Sequence, residues 1–183
     1  MELRQMPEFL VWQHFWQHSE NFGIWLKCAV VTGMNIIEKA VLTLASAQQL
    51  ADEREAIHQV VSGYYDAFAR DPAVAATFYG EPTLIVLQNE VRALATRSDV
   101  EAFLAKLLGS LKPLGYSNTK LTVARTKMVN ATTALYSTVA IRMKTDGTEL
   151  QKAGFTYLLQ KGSAGWKIHE VIATDIDKLI VAD

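Results

Sequence analysis

Two side chains, Tyr64 and Glu170, offer the acid–base chemistry that this sequence can support. Strand alternation over Trp166–Ala173 would put Trp166, Ile168, Glu170 and Ile172 on one face. A carboxylate held there among apolar groups has a raised pKa and can donate or accept a proton. Tyr64 would be its partner from an upstream helix. The competing reading makes Glu170 a surface or subunit-interface charge and Tyr64 a core aromatic whose hydroxyl finds a bond. Lys167 and His169 fall on the other face of the same strand, and Arg125 and Arg142 lie on strands where they could clamp an anion or simply be solvated.

Other chemistries find little to work with. His14 and His18 have a helical metal-ligand spacing but no third ligand, and Asp175 and Asp177 lack a calcium-loop pattern, so no metal site is expected. Cys28 is the single cysteine and can form neither an intramolecular disulfide nor a cysteine-based metal site. No glycine-rich phosphate loop and no Gly-x-Ser-x-Gly elbow is present, and no cofactor is implied. Lys plus Arg total 18 against 19 Asp plus Glu, a net charge of -1, which argues against a nucleic-acid partner.

The elements that must position these residues can be read in order. With 183 residues, 50% apolar and 20% charged, the chain fits one domain plus an extension. Ile57, Val60, Val61, Tyr64 and Phe68 form the apolar stripe of a helix over Asp52–Arg70, its first turn rich in acids. Asp71-Pro72 ends it and starts a short second helix. Thr83–Gln88 reads as a strand. Ser98 with Glu101 reads as a capping box opening a third helix, with Val100, Phe103, Leu104, Leu107, Leu108 and Leu111 apolar. Four strands follow: Thr119–Val129, Thr132–Lys144, Glu149–Lys161 and Trp166–Ala173. Asp146-Gly147 is the strongest hairpin signal among their turns. In the first of the four, Leu121, Val123, Arg125, Lys127 and Val129 share one side. Helices followed by a meander indicate an α+β fold with helices on one face of a curved sheet.

Residues 1–50 differ in character. They hold Trp12, Trp16 and Trp25 with Phe9, Phe15 and Phe22, which suits an amphipathic helix packing on the domain, a partner or a membrane surface. Glu38 and Lys39 interrupt the apolar run Ala29–Ala47, so no transmembrane span is expected. Ala45-Ser46-Ala47 resembles a signal-peptidase site, and Met34 could be the true start of the natural product. The expected compartment is cytoplasmic, or secreted or periplasmic if residues 1–47 act as a signal.

The order of elements, with Tyr64-Tyr65-Asp66-Ala67-Phe68 on the first helix and Gly165-Trp166-Lys167-Ile168 opening the last strand, resembles the nuclear transport factor 2-like superfamily, in its SnoaL-like and ketosteroid-isomerase-like branch. The resemblance covers about residues 53–175. It implies a cone-shaped, cystatin-like domain over 53–183: a curved antiparallel sheet wrapped around about three helices, with 1–50 as an N-terminal helical extension. It also implies a pocket at the open end and frequent homodimers. Ketosteroid isomerase chemistry would need acids near the end of the first strand and near Gly154 and Phe155. Leu87, Gln88 and Asn89 stand at the first place, with Glu90 the nearest acid, so that chemistry is not expected. The expected function is therefore binding of a small apolar molecule by Tyr64, Tyr65, Phe68, Gln88, Phe103, Tyr157, Trp166 and Glu170. One alternative is a homo-oligomerisation or interaction module. Another is an isomerase, dehydratase or cyclase using Tyr64 and Glu170.

Overall fold

The computed structural model describes residues 36–180. The tryptophans and phenylalanines of the first 25 residues, His14, His18, Cys28 and Met34 lie outside them. The chain divides into two units, Met1–Leu50 and Ala51–Asp183. Helix α1 covers Ile36–Phe68, starting well before the Asp52 that the sequence suggests. Its described first-unit part exposes Val41, Leu42 and Leu44.

In the second unit α1 is followed by α2 (Pro72–Ala76), β1 (Tyr79–Leu87), β2 (Glu90–Leu94), α3 (Arg97–Leu111), β3 (Tyr116–Asn130), β4 (Thr133–Lys144), β5 (Glu149–Gly162) and β6 (Gly165–Thr174). Short 3-10 turns cover Lys112–Leu114 and Ile176–Lys178. The strands form one curved sheet in the order β2-β1-β6-β5-β4-β3. All neighbours are antiparallel except β1 and β6, which run parallel.

Local chemistry explains most boundaries. Asp71 caps α2, its Oδ1 accepting from the backbone N–H of Ala73 and Val74, with Pro72 in the first turn. The capping box of α3 is Thr96 with Asp99, not Ser98 with Glu101: the Thr96 side chain accepts from Asp99 N–H and the Asp99 carboxylate accepts from Thr96 N–H. Both pairs have the right spacing, and the chain uses the earlier one. Asp146-Gly147 turns β4 into β5, with Gly147 at φ 82°, which favours glycine.

The core lies on the inner face of the sheet. Ile57, Val61, Tyr64 and Phe68 of α1 are buried, as are Val100, Leu104, Leu108 and Leu111 of α3. They meet Tyr136, Tyr157, Leu159, Ile168 and Val171 from the sheet in one apolar cluster. Each such burial contributes roughly 1.5–3 kcal/mol. The outer face is partly covered by the chain after β6. Leu179 is buried, Ile180 N–H donates to Ser137 Oγ at 3.4 Å, and Arg125 Nη1 donates to Ile180 O at 3.2 Å.

Two irregularities shift the faces. A bulge between Leu121 and Val123 of β3 ends the expected stripe, so Thr126 and Met128 are half-buried while Arg125, Lys127 and Val129 are exposed. In β6, Ile168 pairs with Leu159 and Glu170 with Leu158, leaving His169 as an extra residue. His169 fits where β1 detours: its ring lies against Gly80, where a Cβ would collide with it, and its Nδ1 is 3.2 Å from Pro82 O.

Candidate functional site

The inner face of the second unit encloses a cavity of about 620 Å³. Helix α1 supplies Tyr64, Tyr65 and Phe68, spaced so that all three leave the same side of the helix. Phe103 and Leu107 come from α3, Tyr79, Ile85 and Leu87 from β1, and Phe155, Tyr157, Val171 and Ala173 from β5 and β6. Most of this wall is apolar. Gln88, Arg142, Gln151 and Lys152 provide polar groups, and the carboxylates on the lining, Asp175 and Asp177, both lie on the segment after β6.

The tyrosines interlock. The Tyr65 and Tyr157 hydroxyls are hydrogen-bonded at 2.5 Å. Tyr64 packs edge-on against Tyr79 with ring centres 5.2 Å apart. Burial raises the Tyr64 hydroxyl to about 12 and pushes Tyr65, Tyr79 and Tyr157 well up as well. These phenols therefore stay neutral at physiological pH and act as hydrogen-bond donors. Phe103 is fixed at the wall by Arg92, whose guanidinium carbon lies 5.7 Å above its ring. Arg92 is itself held by a forked pair with Glu90 at 2.6 and 3.0 Å. That pair lowers the Glu90 pKa and keeps Glu90 an exposed anion on β2, away from the cavity lining.

The structure brings six of the eight sequence-selected residues to this cavity: Tyr64, Tyr65, Phe68, Gln88, Phe103 and Tyr157. Trp166 and Glu170 are not among its lining residues. The sequence puts them on one face by uninterrupted alternation, but the extra residue His169 reverses the phase. Beyond it Val171 and Ala173 point inward, and Glu170 shares the outer face with Leu84, its partner on β1. Tyr64 and Glu170 therefore lie on opposite sides of the sheet and are not an acid–base pair. Trp166 stays inside at the far end, where its Nε1 donates to Glu53 Oε2 at 2.7 Å. Lys161 also donates to Glu53, and the two bonds hold that carboxyl below its ordinary pKa. A second hollow of about 520 Å³ lies there, lined by Glu53, Ala56, Val60, Phe78, Lys161 and Trp166.

Sequence reading left Arg142 unassigned between clamp and surface charge. It lies on the cavity lining, and its Nη1 donates to Gln151 Oε1 at 2.6 Å. A sheet register would have revealed this, because Arg142 and Tyr136 share one parity on β4. Arg125 instead holds the C-terminal segment. His58 leaves the cavity for Tyr136, its Nδ1 2.7 Å from the buried hydroxyl. Among the described residues no group of three or more His, Cys, Asp or Glu could hold a metal. No described helix is long and apolar enough to cross a membrane.

A curved sheet closed over helices, with an aromatic cavity between them, defines the cystatin-like α+β class. Residues 52–176 match the NTF2-like protein family DUF6841, and the chain belongs to that family. No curated protein matches the sequence. Solved structures show the same fold. One is an NTF2-like protein of Novosphingobium aromaticivorans with a cystatin-like fold, at 17% identity and TM-score 0.61, over 74% of this chain and 89% of that one. Another is an NTF-2 like protein of unknown function from Shewanella oneidensis, at 20% identity and TM-score 0.55, over 66% and 98% of the two chains. A third is a domain of unknown function with a cystatin-like fold from Nostoc punctiforme, at 20% identity and TM-score 0.53, over 67% and 76%. At such identities the likeness speaks to the fold alone.

Proposed function

We propose that the cavity binds a small, mostly apolar organic molecule and that the domain is a binding module. The observation that carries this reading is the wall: Tyr64, Phe68, Phe103, Phe155 and Tyr157 surround about 620 Å³, a volume within the range of small-molecule sites. Neutral phenols and Gln88 can orient a polar atom of the guest. The lining carboxylates, Asp175 and Asp177, both lie on the segment after β6. Asp175 is paired with Lys178 at 3.0 Å, and Glu170 is on the other face. A neutral fluorescent probe, N-phenylnaphthylamine, tests the reading. Its emission should rise on mixing with the full chain, and Ala153→Trp, on the cavity wall, should suppress the rise without lowering the thermal midpoint. No rise, or a rise indifferent to Ala153→Trp, would sink the proposal.

A second reading is favoured by the outer face at the β2-β1-β6 side. Leu84, Val86, Val91 and Ile172 share that face with Glu170, and Leu84 and Val91 are 39% and 66% exposed. Such a surface suits pairing with a second copy. Light scattering at micromolar concentration should give twice the chain mass, reduced to one chain by Leu84→Lys with Val91→Lys. A monomeric wild-type chain would count against it.

A further inference from the structure

Arg142 sits on the lining of a mostly apolar cavity, which Lys152 also lines, and its hydrogen-bond partner is neutral. Across the sheet it faces Gln151 on one side and Thr119 on the other. The 2.6 Å bond to Gln151 Oε1 occupies one of its five N–H donors. Among the described residues no carboxylate forms an ion pair with it. Its charge also reaches the Tyr64, Tyr65 and Tyr116 hydroxyls, where it opposes the effect of burial. The guanidinium and the tyrosine cluster therefore share one end of the site. Gln151 holds one nitrogen of the guanidinium from the neighbouring strand. A planar fork with free donors is matched by a carboxylate, which it can grip through two parallel bonds.

Resting on the reading of the cavity as a small-molecule site, we propose that the guest is an apolar or aromatic acid whose carboxylate pairs with Arg142 while its hydrocarbon body lies against Phe68, Phe103, Phe155 and Tyr157. Of the two lining carboxylates Asp175 is paired with Lys178 at 3.0 Å rather than with Arg142. Arg142 is thus a specificity-determining residue: it selects acids over neutral molecules of the same shape.

The test is displacement of N-phenylnaphthylamine from the full chain by two probes of equal shape, naphthoate and its neutral amide. Naphthoate should displace the dye at roughly tenfold lower concentration, the scale of one charge-assisted contact over a neutral one. Arg142→Gln should abolish that preference while the amide still competes as before, which also shows the variant to be folded. If Arg142→Gln loses the dye altogether, Arg142→Lys decides, since it keeps the charge without the fork: a preference cut at least threefold supports the pairing, and an unchanged one overturns it. Equal displacement by both probes in the wild-type chain, or a preference that survives Arg142→Gln, overturns the inference and leaves the binding module standing. A dye that never binds removes both.

Discussion

At one end of the sheet's inner face Trp166 and Lys161 both donate to Glu53, so that carboxylate is bonded to the walls of the hollow beside it. At the other end Tyr65 and Tyr157 pair with each other, Tyr64 packs on Tyr79, and about 620 Å³ is left between them and Arg142. Both ends combine aromatic rings with polar groups, so residue type alone does not distinguish them. The difference is whether a charge meets an opposite charge inside the fold: Glu53 meets Lys161, whereas Arg142 meets the neutral Gln151. The closed end turns a tryptophan and a carboxylate into a clamp between α1 and the sheet. The open end keeps a guanidinium with a neutral partner beside paired, neutral phenols on the cavity wall. The two ends should also loosen at opposite extremes of pH, because one depends on an anion and the other on neutral phenols.

The largest effect expected is in alkali. A tyrosine whose folded pKa is raised contributes stability that is intact below the unfolded value of 10 and is lost as pH climbs through the folded value. Tyr64 and Tyr136 are raised to about 12, and Tyr65, Tyr79, Tyr116 and Tyr157 are raised as well. Tyrosinate absorbance should therefore appear between pH 10 and 12, together with the loss of circular dichroism. Ionisation of most tyrosines near pH 10 in a folded chain would break the picture of a dry aromatic end.

Truncation comes next. Trp166→Ala should cost about 3–5 kcal/mol in denaturant melts, since it removes a buried ring and one of the two donors to Glu53. Phe103→Ala, at a wall that already borders space, should cost only about 1–2 kcal/mol. Equal costs would mean that the open end is packed like the closed one.

Smaller effects separate the ends further. Glu53 has a depressed pKa, so its contribution is present above the ordinary value of 4.5 and is lost as pH falls through the folded one. Glu53→Gln should cost about 1 kcal/mol at neutral pH and flatten the acid side of the stability profile. An acid limb unchanged in that variant would remove the clamp's share. Tyr157→Phe should cost about 1 kcal/mol by leaving the Tyr65 hydroxyl unpaired. A stabilised variant would show that the 2.5 Å pair is under strain rather than supporting the wall.

Much of the fold was legible because its signals are periodic. The stripe Ile57, Val61, Tyr64 and Phe68 gave α1 its buried face, and Asp146-Gly147 gave the hairpin between β4 and β5. Strand β2 is hard to see in the sequence because its alternation, Glu90-Val91-Arg92-Ala93, is only four residues long and follows a turn directly. The Tyr64, Phe68 and Phe103 side of the cavity followed from helical spacing. The Glu170 side did not, because alternation carries no mark of an extra residue. With His169 set aside, Trp166, Ile168, Val171 and Ala173 alternate cleanly with Lys167, Glu170 and Ile172. The fault was one of counting, and only the pairing partners across β5 and β1 could correct it.

The His169 bulge bears on how such a chain can change over generations. A residue gained in a strand must be absorbed either by slippage or by bulging. Slippage would have turned Val171 and Ala173 away from the cavity and brought Glu170 into it. Bulging confines the change to one ring beside Gly80 and Pro82. Removing His169 together with its bulge would leave every later residue of the strand on its present side, so the length of β6 at this point is separable from the chemistry of the cavity wall.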